Sequence, residues 1–209
     1  EIAQQNPKVK VFQNQFEDLT KQRNFALEKA SNDWILFLDG DERITSELKS
    51  EILSELQKPT KKAAYYFLRK FYFAGKPLNF SGTQTDKNFR LFRKNKCKYS
   101  SEKKVHETLI VDGEIGQLKN KLLHYSVKDY CSYHKKMTLY GTLKGQELFL
   151  KGKKYSVLTQ LSKTIFKFIK TYLLRLGILD GKEGFQLSIL QSLSVYETYH
   201  SLKNEEQKD

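Results

Sequence analysis

The residues best placed to do chemistry are the acids of Asp39-Gly40-Asp41-Glu42. Two carboxylates on either side of one glycine can turn toward a single point. They repel each other there unless a cation lies between them. Hard divalent ions such as Mg²⁺ or Mn²⁺ prefer oxygen ligands and are commonly shared with substrate phosphates. A metal–diphosphate site is one reading; an acidic turn that caps the next helix is the other. What precedes the acids bears on the choice. The apolar run Trp34-Ile35-Leu36-Phe37-Leu38 is too short for a lone helix and suits a strand buried on both faces. In open α/β sheets, ligands bind just beyond the carboxyl ends of the strands. The acids stand at such an end, which favours the metal site.

The elements that must position them read as an α/β alternation. Val9, Val11 and Phe12 fit a short strand after Pro7. Asp18 or Thr20 can cap a helix through Lys21–Ala30, with Phe25, Ala26 and Ala30 inward. After the acids, Thr45 or Ser46 caps an amphipathic helix carrying Leu48, Ile52, Leu53 and Leu56. The aromatic stretch from Ala63 to Gly75 predicts a strand closed by a Gly75-Lys76-Pro77 turn. A loop and a strand over Phe89–Arg93 follow, then a hairpin turn at Asp112-Gly113 and a strand ending at Leu123. Asp129 opens a helix with Tyr130, Tyr133, Met137 and Tyr140 on one side, and Gly152 closes it. From 157 to 179, Leu158, Leu161, Ile165, Phe168, Ile169, Tyr172 and Leu176 form an apolar stripe beside a basic one of Lys163, Lys167 and Lys170. Such a helix fits either an anionic membrane surface or the flank of the main domain. A last helix spans Phe185–Leu202, and the polar tail beyond it reads as disordered.

Composition bounds the partners. The chain has 209 residues, 39% hydrophobic and 13% aromatic, which suits a folded domain with a substantial core. A net charge of +13 favours anionic partners: nucleic acid, acidic headgroups or a phosphorylated substrate. There is no nucleic-acid-binding motif, which places nucleic acid last. Cys97 and Cys131 make no disulfide framework and no metal-type Cys/His cluster. No apolar run reaches transmembrane length, and the first residues do not form a signal peptide.

The segments "KQRNFALEKASND", "DWILFLDGDERIT", "KNFRLFRKNK", "KVHETL", "LLHYSVKDYCSYHKKM" and "FIKTYLLRLGILDGKEG", in this order, resemble family-2 glycosyltransferases of GT-A fold. The subgroup they resemble adds sugars to the lipopolysaccharide core or related surface glycans. The resemblance implies a Rossmann-like nucleotide-sugar transferase fold over residues 1–127, with a helical extension over 128–209. It implies an inverting, metal-dependent transfer from a nucleotide-sugar donor to a glycan or lipid-linked acceptor. Asp39 and Asp41 would hold the Mg²⁺ or Mn²⁺, with His124 as a late ligand or phosphate contact. Arg23, Asn24, Asp39 and Arg90 would line the donor. Glu107, Asp86 or His106 would be the acceptor-side base, with Glu107 preferred. The alternatives stay open at this point: a solvated helix face for Arg23, a turn residue for Asp86, a polar strand start for the His-Glu pair, a structural role for His124. Relatives carry an earlier strand and loop that hold the nucleotide base, so the chain is expected to be N-terminally incomplete. A truncated, non-catalytic binding module is the competing reading. Both place the basic C-terminal helices on the inner face of the cell membrane, on the cytoplasmic side.

Overall fold

A computed structural model of the chain describes residues 3–100 and 108–208. The fold divides into two compact units, each woven from several stretches. The first takes residues 1–37, 55–66 and 89–117; the second takes 38–54, 67–88 and 118–209.

In the first unit, helix α1 (Leu19–Lys29) is capped by Asp18, whose carboxylate accepts the Lys21 N–H at 2.8 Å. That bond satisfies one of the unpaired donors at a helix start. Strand β1 (Trp34–Leu36) runs antiparallel to β5 (Lys87–Arg93), with Ile35 opposite Phe92. The start of β3 (Lys62–Phe73) pairs parallel with β8 (Glu114–Gln117). Strands β6 (Cys97–Tyr99) and β7 (Leu109–Val111) form a separate antiparallel ribbon. Leu27, Ile35, Ala64, Phe92, Cys97, Tyr99 and Leu109 make the core.

Three expectations are corrected here. β1 is a short edge strand rather than one buried on both faces: Ile35 points inward while Leu36 and Leu38 are exposed. With one partner strand and a period of two, only alternate side chains reach the core. Residues 9–16 form no strand, and Val9, Val11 and Phe12 are exposed. Asp112 and Gly113 do turn the chain, but they join β7 to a strand of a different sheet, so no hairpin forms.

In the second unit, α2 (Ser46–Gln57) starts on Thr45, whose hydroxyl accepts the Leu48 N–H. The end of β3 pairs parallel with β9 (Leu122–Val127) and antiparallel with β4 (Lys76–Pro77). β9 also pairs antiparallel with the two-residue β2 (Glu42–Arg43). Helices α3 (Tyr130–Leu150), α4 (Val157–Ile169) and α5 (Gly181–Glu206) complete the unit. Phe73, Leu78, Val127, Met137, Leu187 and Leu190 form its core. Gly141 and Gly145 of α3 lie against α5: a Cβ on Gly145 would meet the Thr198 carbonyl oxygen at 2.4 Å. The expected single helix over 157–179 is interrupted by a wide π turn at Lys170–Leu174 and a 3₁₀ turn at Gly177–Asp180. The expected disordered tail is instead helical as far as Glu206.

Candidate active site

β-sheet register assembles the site within the second unit. Glu42 of β2 lies opposite His124 of β9, and His124 lies opposite Phe71 of β3. Arg69 sits two residues before Phe71 and so shares its face of the strand. The His124 ring meets Phe71 edge-on, with centroids 5.8 Å apart.

The acid turn is built around Glu42. The Glu42 N–H donates to the Asp39 carbonyl at 3.0 Å, and the Asp39 N–H donates to the Glu42 carboxylate at 3.1 Å. The same carboxylate faces Arg69, with Nη1 to Oε1 at 3.4 Å. Arg69 then donates to Asp86 through Nη2 at 2.8 Å, and its backbone N–H bonds the Asp86 carbonyl at 2.9 Å. Burial alone would depress the Arg69 pKa, but the hydrogen bond and charge of Asp86, then the charge of Glu42, outweigh it and raise it. Glu42 is only 1% exposed, so Arg69 supplies the countercharge a buried carboxylate requires.

Asp41 lies beside this network and is half-exposed. Its Oδ2 is 3.4 Å from His124 Nε2, and its carbonyl accepts the Tyr125 N–H at 2.8 Å. His124 is 12% exposed, and its pKa is lowered first by burial and then by the Arg69 charge. Burial and the Arg69 charge thus favour the neutral imidazole, the form that can ligate a metal. Gly40 is not in the left-handed region, and a Cβ there would meet nothing within 4 Å. The turn needs a glycine neither for its conformation nor for room at that position.

Asp86 is delivered by a loop held from behind. Asp180 accepts hydrogen bonds from the Asn79 N–H at 2.8 Å, the Phe80 N–H at 3.0 Å and the Ser81 hydroxyl at 2.8 Å. Ser81, at a positive φ of 59°, also donates its N–H to the Arg175 carbonyl. These bonds hold a backbone conformation that a non-glycine residue seldom adopts.

The structure thus gathers Asp39, Asp41, Asp86 and His124 in the second unit. Arg23, Asn24 and Arg90 belong to the first. Asn24's amide is engaged with the Tyr99 backbone in both directions, at 3.1 Å each way. The Arg23 guanidinium lies over the rings of Phe37 and Tyr99. Arg90 is fully buried. His106 and Glu107 lie outside the described residues. Sequence reasoning counted Glu42 among the acids but gave it no role, and it overlooked Arg69. The available signal was a lone arginine inside the apolar run "YYFLRKFYF", because a buried cation in a strand demands a carboxylate.

Among the described residues, no three His, Cys, Asp or Glu side chains converge as a metal cage. Asp41, half-exposed, and His124, largely buried, would supply an oxygen and a nitrogen. That set fits an ion completing its shell with diphosphate oxygens and water rather than one wholly enclosed by protein.

The mixed sheet with its appended helices matches the GT-A fold. The chain belongs to glycosyl transferase family 2, whose profile matches residues 1–111. It is 27% identical over 191 residues to "Lipopolysaccharide core biosynthesis glycosyltransferase LpsC" of Rhizobium meliloti (strain 1021), covering 87% of this chain and 70% of that one. Two uncharacterized glycosyltransferases, of Rickettsia typhi and Rickettsia prowazekii, are 25% and 26% identical and align with 81% of this chain. The chain spans 61% of the length of each of those two.

Proposed function

We propose that this glycosyltransferase moves a sugar from a nucleotide-sugar donor to a lipopolysaccharide-core or related surface-glycan acceptor, inverting the anomeric carbon. The observation that carries the reading is Asp41 and His124 meeting at 3.4 Å beside the Glu42–Arg69–Asp86 network. The name of the Rhizobium relative supports the acceptor class. Asp41 and His124, with Asp39 adjacent, would hold Mg²⁺ or Mn²⁺. A bound ion there neutralises charge on the leaving nucleoside diphosphate. Glu42 and Arg69 fix the acid turn through the Asp39 N–H, and Arg69 anchors the loop that ends in Asp86. The acceptor hydroxyl attacks the anomeric carbon as the bond to the diphosphate breaks, and a protein base takes the hydroxyl proton. Arg69 occupies one oxygen of Asp86. The family resemblance is what assigns the base to Glu107, with Asp86 the runner-up and His106 the third candidate.

The test is titration calorimetry with Mn²⁺ and UDP, followed by turnover measurements. Asp41→Asn should abolish metal-dependent UDP binding while circular dichroism stays unchanged. Glu107→Gln should lose at least about 10²-fold in turnover with UDP affinity kept. Unchanged Mn²⁺ affinity in Asp41→Asn would remove the metal assignment. Near-normal turnover in Glu107→Gln with an inactive Asp86→Asn would move the base to Asp86.

A further inference from the structure

Helix α4 is inside out. Polar residues line its inner side: Gln160 is buried and donates to the Tyr196 carbonyl at 3.0 Å, and Thr171 is buried in the turn that follows. Lys163 donates to the Tyr199 hydroxyl at 2.6 Å and lies over that ring. Lys167 is covered enough that burial lowers its pKa, with Arg175 and Lys170 adding to the effect. The lysine stripe expected to face outward thus turns in part toward α5. Only Phe168 and Tyr172 of the apolar stripe pack inward, against Phe185. The rest looks out: Leu158 is 75% exposed, Leu161 51% and Ile165 58%, and Leu173, Leu174 and Leu179 continue the surface.

An apolar face of this extent marks an interaction site. Its occupant follows from charge. From Leu148 to Leu179 there is no Asp or Glu, while Lys153, Lys154, Lys163, Lys167, Lys170 and Arg175 all lie in that stretch. A second copy would bring two such cationic faces together. A nucleic acid would answer the charge but not the leucines. A bilayer surface containing anionic lipid answers both. The 13 residues of α4 measure about 20 Å, short of the roughly 30 Å apolar core of a membrane. No helix among the described residues is long and apolar enough to cross a membrane. We infer that α4 and the turns after it lie in the interface of an anionic membrane, with Leu158, Leu161 and Ile165 inserted and the neighbouring cations at the headgroups. The same segment carries Asp180 and Arg175, which hold the loop leading to Asp86. Docking would therefore set that loop against the lipid surface.

Vesicle flotation with phosphatidylcholine alone and with phosphatidylcholine–phosphatidylglycerol mixtures tests this without donor or metal, so its outcome is separate from that of the transfer reading. The wild type should float with the anionic vesicles. Leu158→Ser/Leu161→Ser/Ile165→Ser should weaken partition at least about tenfold, since binding scales with inserted apolar area. Thermal unfolding should be no lower in that variant, because the three side chains are exposed. Lys153→Gln/Lys154→Gln/Lys170→Gln should lose the preference for anionic vesicles. Equal flotation of the serine variant and the wild type overturns the inference. So does a wild type that ignores the vesicles and forms a concentration-dependent dimer that the serine variant abolishes.

Discussion

Replacing Arg69 with methionine should destabilise the second unit more than any other single change near the acid turn. Arg69 faces two carboxylates, and they differ in how they can respond. Asp86 is partly exposed and can be rehydrated by water. The Glu42 side chain has no exposed surface, so its charge would lose the Arg69 guanidinium without gaining water in exchange. Removing one partner of a buried pair costs about 3–5 kcal/mol. The 3.4 Å separation is long for an ion pair, which places the expected loss at the lower end, about 3 kcal/mol. For a chain of this size that corresponds to a fall in Tm of roughly 6–12 °C. Glu42→Gln removes the buried charge from the other side. The double variant should therefore lose less than the sum of the single ones, by about 1–3 kcal/mol. Denaturant and thermal unfolding of the four proteins measure this cycle. A loss below about 1 kcal/mol for Arg69→Met, or strict additivity, would refute the claim that Arg69 neutralises Glu42.

Gly145→Ala should destabilise by about 1–3 kcal/mol despite the better helix propensity of alanine, because the new methyl would sit 2.4 Å from a backbone oxygen of α5. Thermal unfolding checks it, and an unchanged or raised Tm would contradict the close crossing of α3 and α5. Cys97 is buried, and burial pushes its thiol up to about 11, while Cys131 is exposed. A thiol reagent at pH 8 should titrate one cysteine in the native protein and a second only on unfolding. The raised folded-state pKa also means that the Cys97 contribution to stability is fully present below pH 9 and is lost as pH rises toward about 11. Alkaline unfolding of Cys97→Ala should be correspondingly flatter over that window.

Much of the fold was legible because it is written in local patterns. Asp18, Thr45 and Asp129 announced three helix starts, and in each a side-chain oxygen accepts a nearby backbone N–H. The aromatic run after Lys62 announced β3. The acid turn was legible for the same reason, since Asp39, Asp41 and Glu42 are neighbours along the chain. What failed depends on partners distant in sequence. The run Trp34–Leu38 does not reveal that its strand has a single antiparallel neighbour. The stripes of α4 do not reveal which of them turns outward, because periodicity marks opposite faces without saying which one meets α5. Nor did any spacing predict that Arg69, Glu42 and Asp86 would neutralise one another. By itself, then, the sequence determined where acids, caps and strands lie. Only the tertiary structure decided that β2, β3 and β9 align in a register that places a buried carboxylate, a guanidinium and an imidazole side by side. Register is a property of paired strands, and a charge becomes costly enough to dictate its partner only once packing has removed the water around it.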